Sequence, residues 1–475
     1  MSISFGKLSL PRLTVRGSLL LLGLIVIIGS VLLFFISRLF LSYDYLIINV
    51  RYVKEKEITS REHVVGIRDE RIAYIGTRKP FASFANVIDG KGLVLAPGFV
   101  DVDSPGFVKE KAAYFKAHDG ITTYLSAHGG LPRESMDTYG EDAYLNYATT
   151  VGIIGFRDQL DKEDFDVVLA FKGALQSGAY GISFSPEYTR QATPELIERV
   201  CKAFEGKSVV FSFHLRYSDA AHELEGVKEA LKCASHDVGL HILHINSTGG
   251  TYQPEEAVHL VEAAQQRGVK VIYDFYPYTA WKSGLRQGRF DGDWMARYRV
   301  GYDRLRFPKR KQPLSKEEFD RIWKSGLNLS VIVDSIPSST IDFYAKENDA
   351  PIGTDEAGFG HPRGIASFGK FIHQYAKGSE REFALVVYRF STAPAKWFSQ
   401  YIPDLKERGL IQVGNYADLA LWNLDEIKDN ASYGKLAPTS GVVALFVNGT
   451  PLILDGQEVR QNNPPGKWFK GRLAR

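Results

Sequence analysis

The hydrophobic pattern of this chain changes three times, and each change marks a different kind of structure. From Ser18 to Ser37 (SLLLLGLIVIIGSVLLFFIS) no residue is charged. An α-helix rises about 1.5 Å per residue, so about 20 such residues cross a hydrocarbon layer of about 30 Å with every backbone group satisfied internally. A buried core helix would show a polar stripe, and this run has none. A cleaved signal would carry a shorter apolar region and a small-residue cleavage site, which Arg38-Leu39-Phe40-Leu41 does not offer. The pattern predicts an uncleaved transmembrane anchor over 18–41 behind a tail of residues 1–17. Lys7, Arg12 and Arg16 precede the run without an acidic residue, whereas Arg38 and Asp44 after it roughly cancel. The positive-inside rule then keeps the tail cytoplasmic and puts the main domain on the periplasmic or extracellular side.

From Tyr43 to Ala96 the pattern shortens to β-like runs: Leu46 to Val50, Val64 to Ile67 and Arg71 to Gly76, separated by Gly and Asp. The C-terminal end reads the same way. Ala417 to Trp422 is a predicted strand, and Val442 to Val447 runs through Asn448-Gly449 into Leu452-Ile453-Leu454, a hairpin signature. Two such segments at opposite ends imply one small β-sandwich domain, built from 43–96 and 408–475. Over 97–407 short apolar strands alternate with helical stretches. Val209 to Phe213 precedes a helical region at Ala220–Cys233, Leu240 to Leu243 precedes another at Pro254–Arg267, and Val269 to Tyr273 follows. This alternation predicts an α/β fold with a parallel sheet, and its length suits a (β/α)8 barrel of TIM type. A doubly wound open sheet is the second reading, although no Gly-x-Gly-x-x-Gly follows an early strand.

Composition adds exclusions more than assignments. The formal net charge is +3 with signs interspersed, which excludes the clustered basic face of a nucleic-acid binder. Lys309-Arg310-Lys311 reads as a solvated loop. The only two cysteines, Cys201 and Cys233, exclude a disulfide framework and a multi-cysteine zinc module. They could pair, but the reading favours two buried thiols. The 29 Phe and 24 Tyr suit a large core and a partly apolar pocket. Nothing in the sequence fixes an oligomeric state.

In a barrel the reactive groups lie at the C-terminal ends of strands. Phe211-Ser212-Phe213 ends in His214, Ile242-Leu243 ends in His244, and Pro351 to Thr354 ends in Asp355. Two imidazoles on successive strand ends with a late aspartate suggest a divalent metal of the zinc type.

The stretch from Val87-Ile88-Asp89-Gly90 through Ala96-Pro97-Gly98-Phe99-Val100-Asp101 resembles the entry to the barrel in the amidohydrolase superfamily. The chain is more specifically similar to the D-aminoacylase (N-acyl-D-amino-acid deacylase) branch. Asn146 to Gly152, Gly181-Ile182-Ser183 with Glu187-Tyr188, His214-Leu215-Arg216, His244, Tyr276 to Ala280, Gly353-Thr354-Asp355 and His361-Pro362-Arg363 follow one another in that order. The resemblance implies hydrolysis of the amide of a small N-acylated, D-configured amino acid or related amide. It implies that His214 and His244 bind metal. Asp355 would take a proton from an activated water and return one to the leaving amine. Tyr188 and Tyr278 would position substrate or polarise its carbonyl, with Arg363 near the mouth.

One departure bears on the metal. The family's first strand ends in His-x-His, and this chain has Asp101-Val102-Asp103-Ser104-Pro105. The cysteine that often bridges two metals is also missing where Gly120 to Ala127 leads into His128. Three outcomes follow: a single zinc-type ion on His214 and His244, completed by Asp355 or Asp103 and by Glu187 or His128; a metal-free binding or assembly module; or a rebuilt site with other chemistry. The first is the expectation. The segment from about Trp281 to residue 348 reads as an insertion near the pocket mouth. Arg286 and Arg289 within it read as surface residues more readily than as contacts to an anionic substrate.

Overall fold

The computed structural model describes residues 22–30, 42–130, 142–346 and 349–474. Of the predicted anchor only 22–30 is described, and it is helical; the rest of 18–41 lies outside the described residues. Among the described residues no helix is long and apolar enough to cross a membrane.

Both ends of the remaining chain meet in one sheet. Strand Ser42–Lys54 pairs antiparallel with His63–Arg68 and parallel with Ser83–Asp89 and Val94–Pro97. Val94–Pro97 then pairs with Leu419–Trp422 from the far end, which pairs with Val442–Val447 and onward to Thr450–Leu454. The hairpin after Val447 turns on Asn448 (φ 47°) and Gly449 (φ 76°). Both residues need positive φ in such a turn, which is why Asn-Gly suits it.

A second sheet holds seven parallel strands in sequence order: β1 (Phe99–Asp101), β2 (Ile121–Gly130), β3 (Asn146–Gly152), β4 (Gly181–Phe184), β5 (Val210–Phe213), β6 (Gly239–Ile242) and β7 (Val271–Tyr273). Helices such as Val167–Ser177, Pro194–Ala203 and Pro254–Gln266 connect them. β3 to β6 are buried along their length, as strands of a parallel sheet covered on both faces are. The sheet curls as in a TIM-like fold, and the stretch 351–355 touches both of its edges. Phe275 N–H donates to the Pro351 carbonyl and Gly353 N–H to the Phe275 carbonyl on one side. Val102 N–H donates to the Ile352 carbonyl and Asp355 N–H to the Asp103 carbonyl on the other.

Residues 280–334 form a separate three-stranded antiparallel sheet. Trp281, Phe290, Trp294, Tyr298 and Phe319 pack into a core of their own beneath it. Cys201 and Cys233 form a disulfide, which corrects the expectation of two thiols. Cys201 lies on helix Pro194–Ala203 and Cys233 just beyond helix Glu223–Leu231, and sequence spacing could not show that these helices are neighbours.

Candidate metal centre

Four side chains from four segments converge at the carboxyl ends of the parallel strands. Asp103 follows β1 by two residues, His128 stands late on β2, His244 follows β6 by two, and Asp355 ends the bridging stretch. A ligand atom from each lies within 4.8 Å of those of the other three. His244 (φ 33°) and Asp355 (φ 45°) both adopt left-handed backbone conformations, which non-glycine residues hold only when neighbours fix them. His244 N–H donates to Asp274 Oδ1 at 3.0 Å. Asp355 N–H donates to the Asp103 carbonyl at 2.7 Å, and Arg363 Nη2 donates to the Asp355 carbonyl at 2.9 Å.

Hydrogen bonds set the ring orientations. His244 Nδ1 is 2.9 Å from Asp103 Oδ2, and its Nε2 is 2.8 Å from His214 Nδ1. His214 Nε2 is 2.6 Å from Glu187 Oε2, which also accepts from Arg289 Nε at 2.9 Å. The Ser218 hydroxyl donates to the other Glu187 oxygen. His128 stacks on His244 with ring centroids 5.3 Å apart, its Nε2 3.3 Å from Asp103 Oδ1 and 3.4 Å from Asp355 Oδ1. Asp103 Oδ1 and His128 Nε2 are both buried, and neither makes a hydrogen bond among the described residues. The two atoms face each other as an ion pair without a well-formed hydrogen bond, an arrangement that a cation bound between them would complete.

The charges fit a cation. Burial opposes ionisation of Asp103, yet His128 and His244 hold its carboxyl far below the usual range. Burial also opposes a charge on His128, but Asp103 and Asp355 outweigh it and lift the ring to about 10. Asp355 is likewise desolvated and nevertheless held well below the ordinary carboxylate range by Arg363, His244 and His128. Glu187 is brought down to about 2 against its burial, by Arg289 and His214. Burial depresses His214 to about 4, with Glu187 opposing. His128 thus carries a proton between two ionised carboxylates, and a divalent ion of the zinc class that displaced this proton would find two carboxylates and two imidazoles as its donor set.

The structure brings Asp103, His128, His244 and Asp355 into one cluster. His214 adjoins it through His244, while Glu187 is occupied by Arg289, His214 and Ser218. The Tyr188 ring lies 4.4 Å from His214. Tyr278 instead packs against His361, 5.2 Å between centroids, beside Lys370. Its neighbour Tyr276 takes the place near the cluster, 6.3 Å from the His244 ring and beneath the Arg363 guanidinium. Arg363 is buried beside Asp355, its Nη2 2.6 Å from Asp355 Oδ2. Arg363 Nε and Nη1 and the Tyr276 hydroxyl have no partner among the described residues. Arg289 is also buried, which corrects its surface reading; the insertion delivers it to Glu187 and over the Trp281 ring. Tyr276 and Asp274 are the residues beside the cluster to which the sequence analysis gave no role. Tyr276 was within reach, since it belongs to the same Tyr-Pro-Tyr run, but nothing in the run shows which tyrosine faces inward.

No protein-family model matches the chain. A D-aminoacylase of Alcaligenes xylosoxydans xylosoxydans is 26% identical over 481 residues, spanning 86% of this chain and 94% of that protein. The N-acyl-D-glutamate deacylase of Bordetella bronchiseptica, solved with zinc and a phosphonate inhibitor, superposes with a TM-score of 0.74 at 19% identity. The alignment covers 90% of this chain and all of that one. A D-aminoacylase studied for its binuclear metal centre, with one-metal activation and second-metal attenuation, gives the same TM-score and coverage at 21% identity. In sequence and in fold, the chain is similar to the D-aminoacylases of the amidohydrolase superfamily.

Proposed function

We propose that the protein is a membrane-anchored, metal-dependent amidohydrolase that cleaves the amide of an N-acyl D-amino acid or a related amide with a single ion. The observation that carries this reading is the convergence of Asp103, His128, His244 and Asp355, with two of their buried ligand atoms left without hydrogen bonds. Asp103 would hold the ion in place of the histidine that the resemblance implies at its position, and His128 would replace the missing cysteine. His214, tied through its other ring nitrogen to Glu187, buttresses His244 from outside the four-residue set, which supports one ion rather than two.

A divalent cation held there would supply Lewis-acid activation of water and of the scissile carbonyl. The chain supplies the rest. Asp355 is ionised, so it can take a proton as water attacks and hand it to the departing amine. Arg363 holds one Asp355 oxygen and leaves two nitrogens unpaired, and with the Tyr276 hydroxyl these offer donors to a polar or anionic substrate group. The membrane part of the reading rests on the uncharged run from Ser18 to Ser37. Export is supported by the Cys201–Cys233 disulfide, because such bonds persist in oxidising compartments.

The test is metal analysis together with turnover of N-acetyl D-amino acids. One ion per chain is expected, with zinc or another divalent metal restoring activity after chelation. Asp355→Asn should lower kcat by about 10²–10⁴-fold. A protein that takes up no metal after reconstitution refutes the proposal.

A further inference from the structure

We infer that the sheet edge around Phe81 and Phe84 rests on the lipid headgroup surface and fixes the orientation of the soluble domain. This inference rests on the anchor reading above and goes beyond it by assigning a face. The uncharged run ends at Ser37, and the first described strand begins at Ser42. Five residue steps span at most about 18 Å when fully extended. The headgroup layer itself occupies about 5–8 Å outside the hydrocarbon. Ser42 is therefore held within about 13 Å of the outer headgroup boundary whatever path the connection takes.

What lies beside Ser42 is unusual for a solvated edge. In the parallel register Ser42 pairs with Ser83 and Tyr43 with Phe84, so strand Ser83–Asp89 starts level with Ser42. Phe81 is 61% exposed, Phe84 38% and Val87 45%, with Phe84 and Val87 on opposite faces of the edge strand, so both sides of that edge present an apolar side chain. Strands Ser42–Lys54 and His63–Arg68, on the same sheet, bury most of their apolar residues, so an exposed apolar segment here departs from the local rule. Arg68, whose guanidinium lies 6.0 Å from the Tyr43 ring, and Arg78 and Lys79, which precede Phe81 in sequence, are exposed and make no salt bridge among the described residues, while Asp89 at the far end of the strand is the nearby acidic group and interacts with Lys79. Asp44, the nearest carboxylate in sequence to the anchor, is turned back onto the Asp69 N–H at 2.6 Å. Aromatic and aliphatic side chains fringed by long cations are the composition that partitions into an interface, with the cations snorkelling to phosphate.

The full chain is reconstituted into vesicles of phosphatidylcholine with a minor share of phosphatidylglycerol, whose acyl chains are brominated near the headgroup. Phe84→Trp supplies the reporter, wild-type emission is subtracted, and Leu169→Trp on helix Val167–Ser177 is the exposed control. The expected result is loss of roughly half or more of the added Phe84→Trp emission in brominated vesicles, with Leu169→Trp unchanged. Flotation on a density gradient separates the two ways to fail. A chain that floats with the vesicles but shows no Phe84→Trp quenching overturns the docking face and leaves the anchor standing. A chain that does not float overturns the anchor, and the docking face with it. Phe81→Trp repeats the measurement should Phe84→Trp not fold.

Discussion

The buried pair of Lys116 and Asp101 lies directly beneath the bridging stretch, and its removal offers a test of how that stretch is held. Lys116 Nζ is 2.7 Å from Asp101 Oδ2 and 3.0 Å from Thr354 Oγ1, and neither charged side chain is exposed at all. Asp101 also accepts from Thr354 N–H at 2.9 Å and from its hydroxyl at 2.7 Å. At an effective dielectric of about 20 the pair attracts by about 6 kcal/mol, against a desolvation cost of several kcal/mol per ion. The net worth of the pair is therefore small, but the cost of orphaning one member is not. Lys116→Met should destabilise the protein by about 3–5 kcal/mol, because Asp101 stays buried without its countercharge. Lys116→Met with Asp101→Asn should recover about 2 kcal/mol or more of that loss, since Asn keeps a Thr354 bond without the charge.

The same pair sets a pH dependence. Burial already lifts the Asp101 carboxyl above its ordinary value, with Lys116 and Thr354 opposing. Removing Lys116 removes the largest opposing influence, so the folded-state value rises further. A carboxyl whose folded value exceeds its unfolded one binds more protons when folded. Its contribution is then fully present at low pH and is lost as pH rises through the folded value. The Lys116→Met penalty should accordingly be larger at about pH 8 than at about pH 5. Urea titrations of wild type, single and double variants at both pH values read this directly. A single-variant penalty under about 1 kcal/mol at about pH 8, or one that does not change with pH, would refute the reasoning.

A methyl group at Gly353 would come within 2.5 Å of Asp103 Cβ and closer still to Asp274, so Gly353→Ala should cost about 1–3 kcal/mol and displace Asp103. Metal stoichiometry checks it, and a variant that keeps full metal content contradicts the packing. Replacing both cysteines by serine should cost about 3–4 kcal/mol, as the chain-entropy model gives for a separation of 32 residues. Unfolding of wild type in reductant should match it, and equal midpoints with and without reductant would count against the bond's role. Trp422 is buried between the two sheets against Phe99 and Phe383, so Trp422→Ala should cost about 3–5 kcal/mol. Turnover per bound metal should be unaffected, because that ring touches none of the four cluster residues.

Elements with a strong local pattern were legible in the sequence to within a few residues. The stretch read as helical at Ala220–Cys233 contains helix Glu223–Leu231, and the one at Pro254–Arg267 coincides almost wholly with Pro254–Gln266. The Asn448-Gly449 turn appears where its chemistry demands, because positive φ is a property of those two residues themselves. What stayed hidden depends on contacts between distant segments. Arg289 looks like a surface cation until the insertion folds back and sets it against Glu187, 102 residues away in sequence. Cys201 and Cys233 carry no signal that their helices adjoin. The site shows the same division. His214, His244 and Asp355 were readable as polar residues closing apolar runs, whereas the approach of His128 to Asp103 and Asp355 is visible only in the folded chain. His214 has a buried carboxylate on its outer nitrogen, and the His128 Nε2 lies 3.3 Å from one carboxylate and 3.4 Å from another. Residue type says which atoms can bind a cation. Only the fold shows which of those atoms converge.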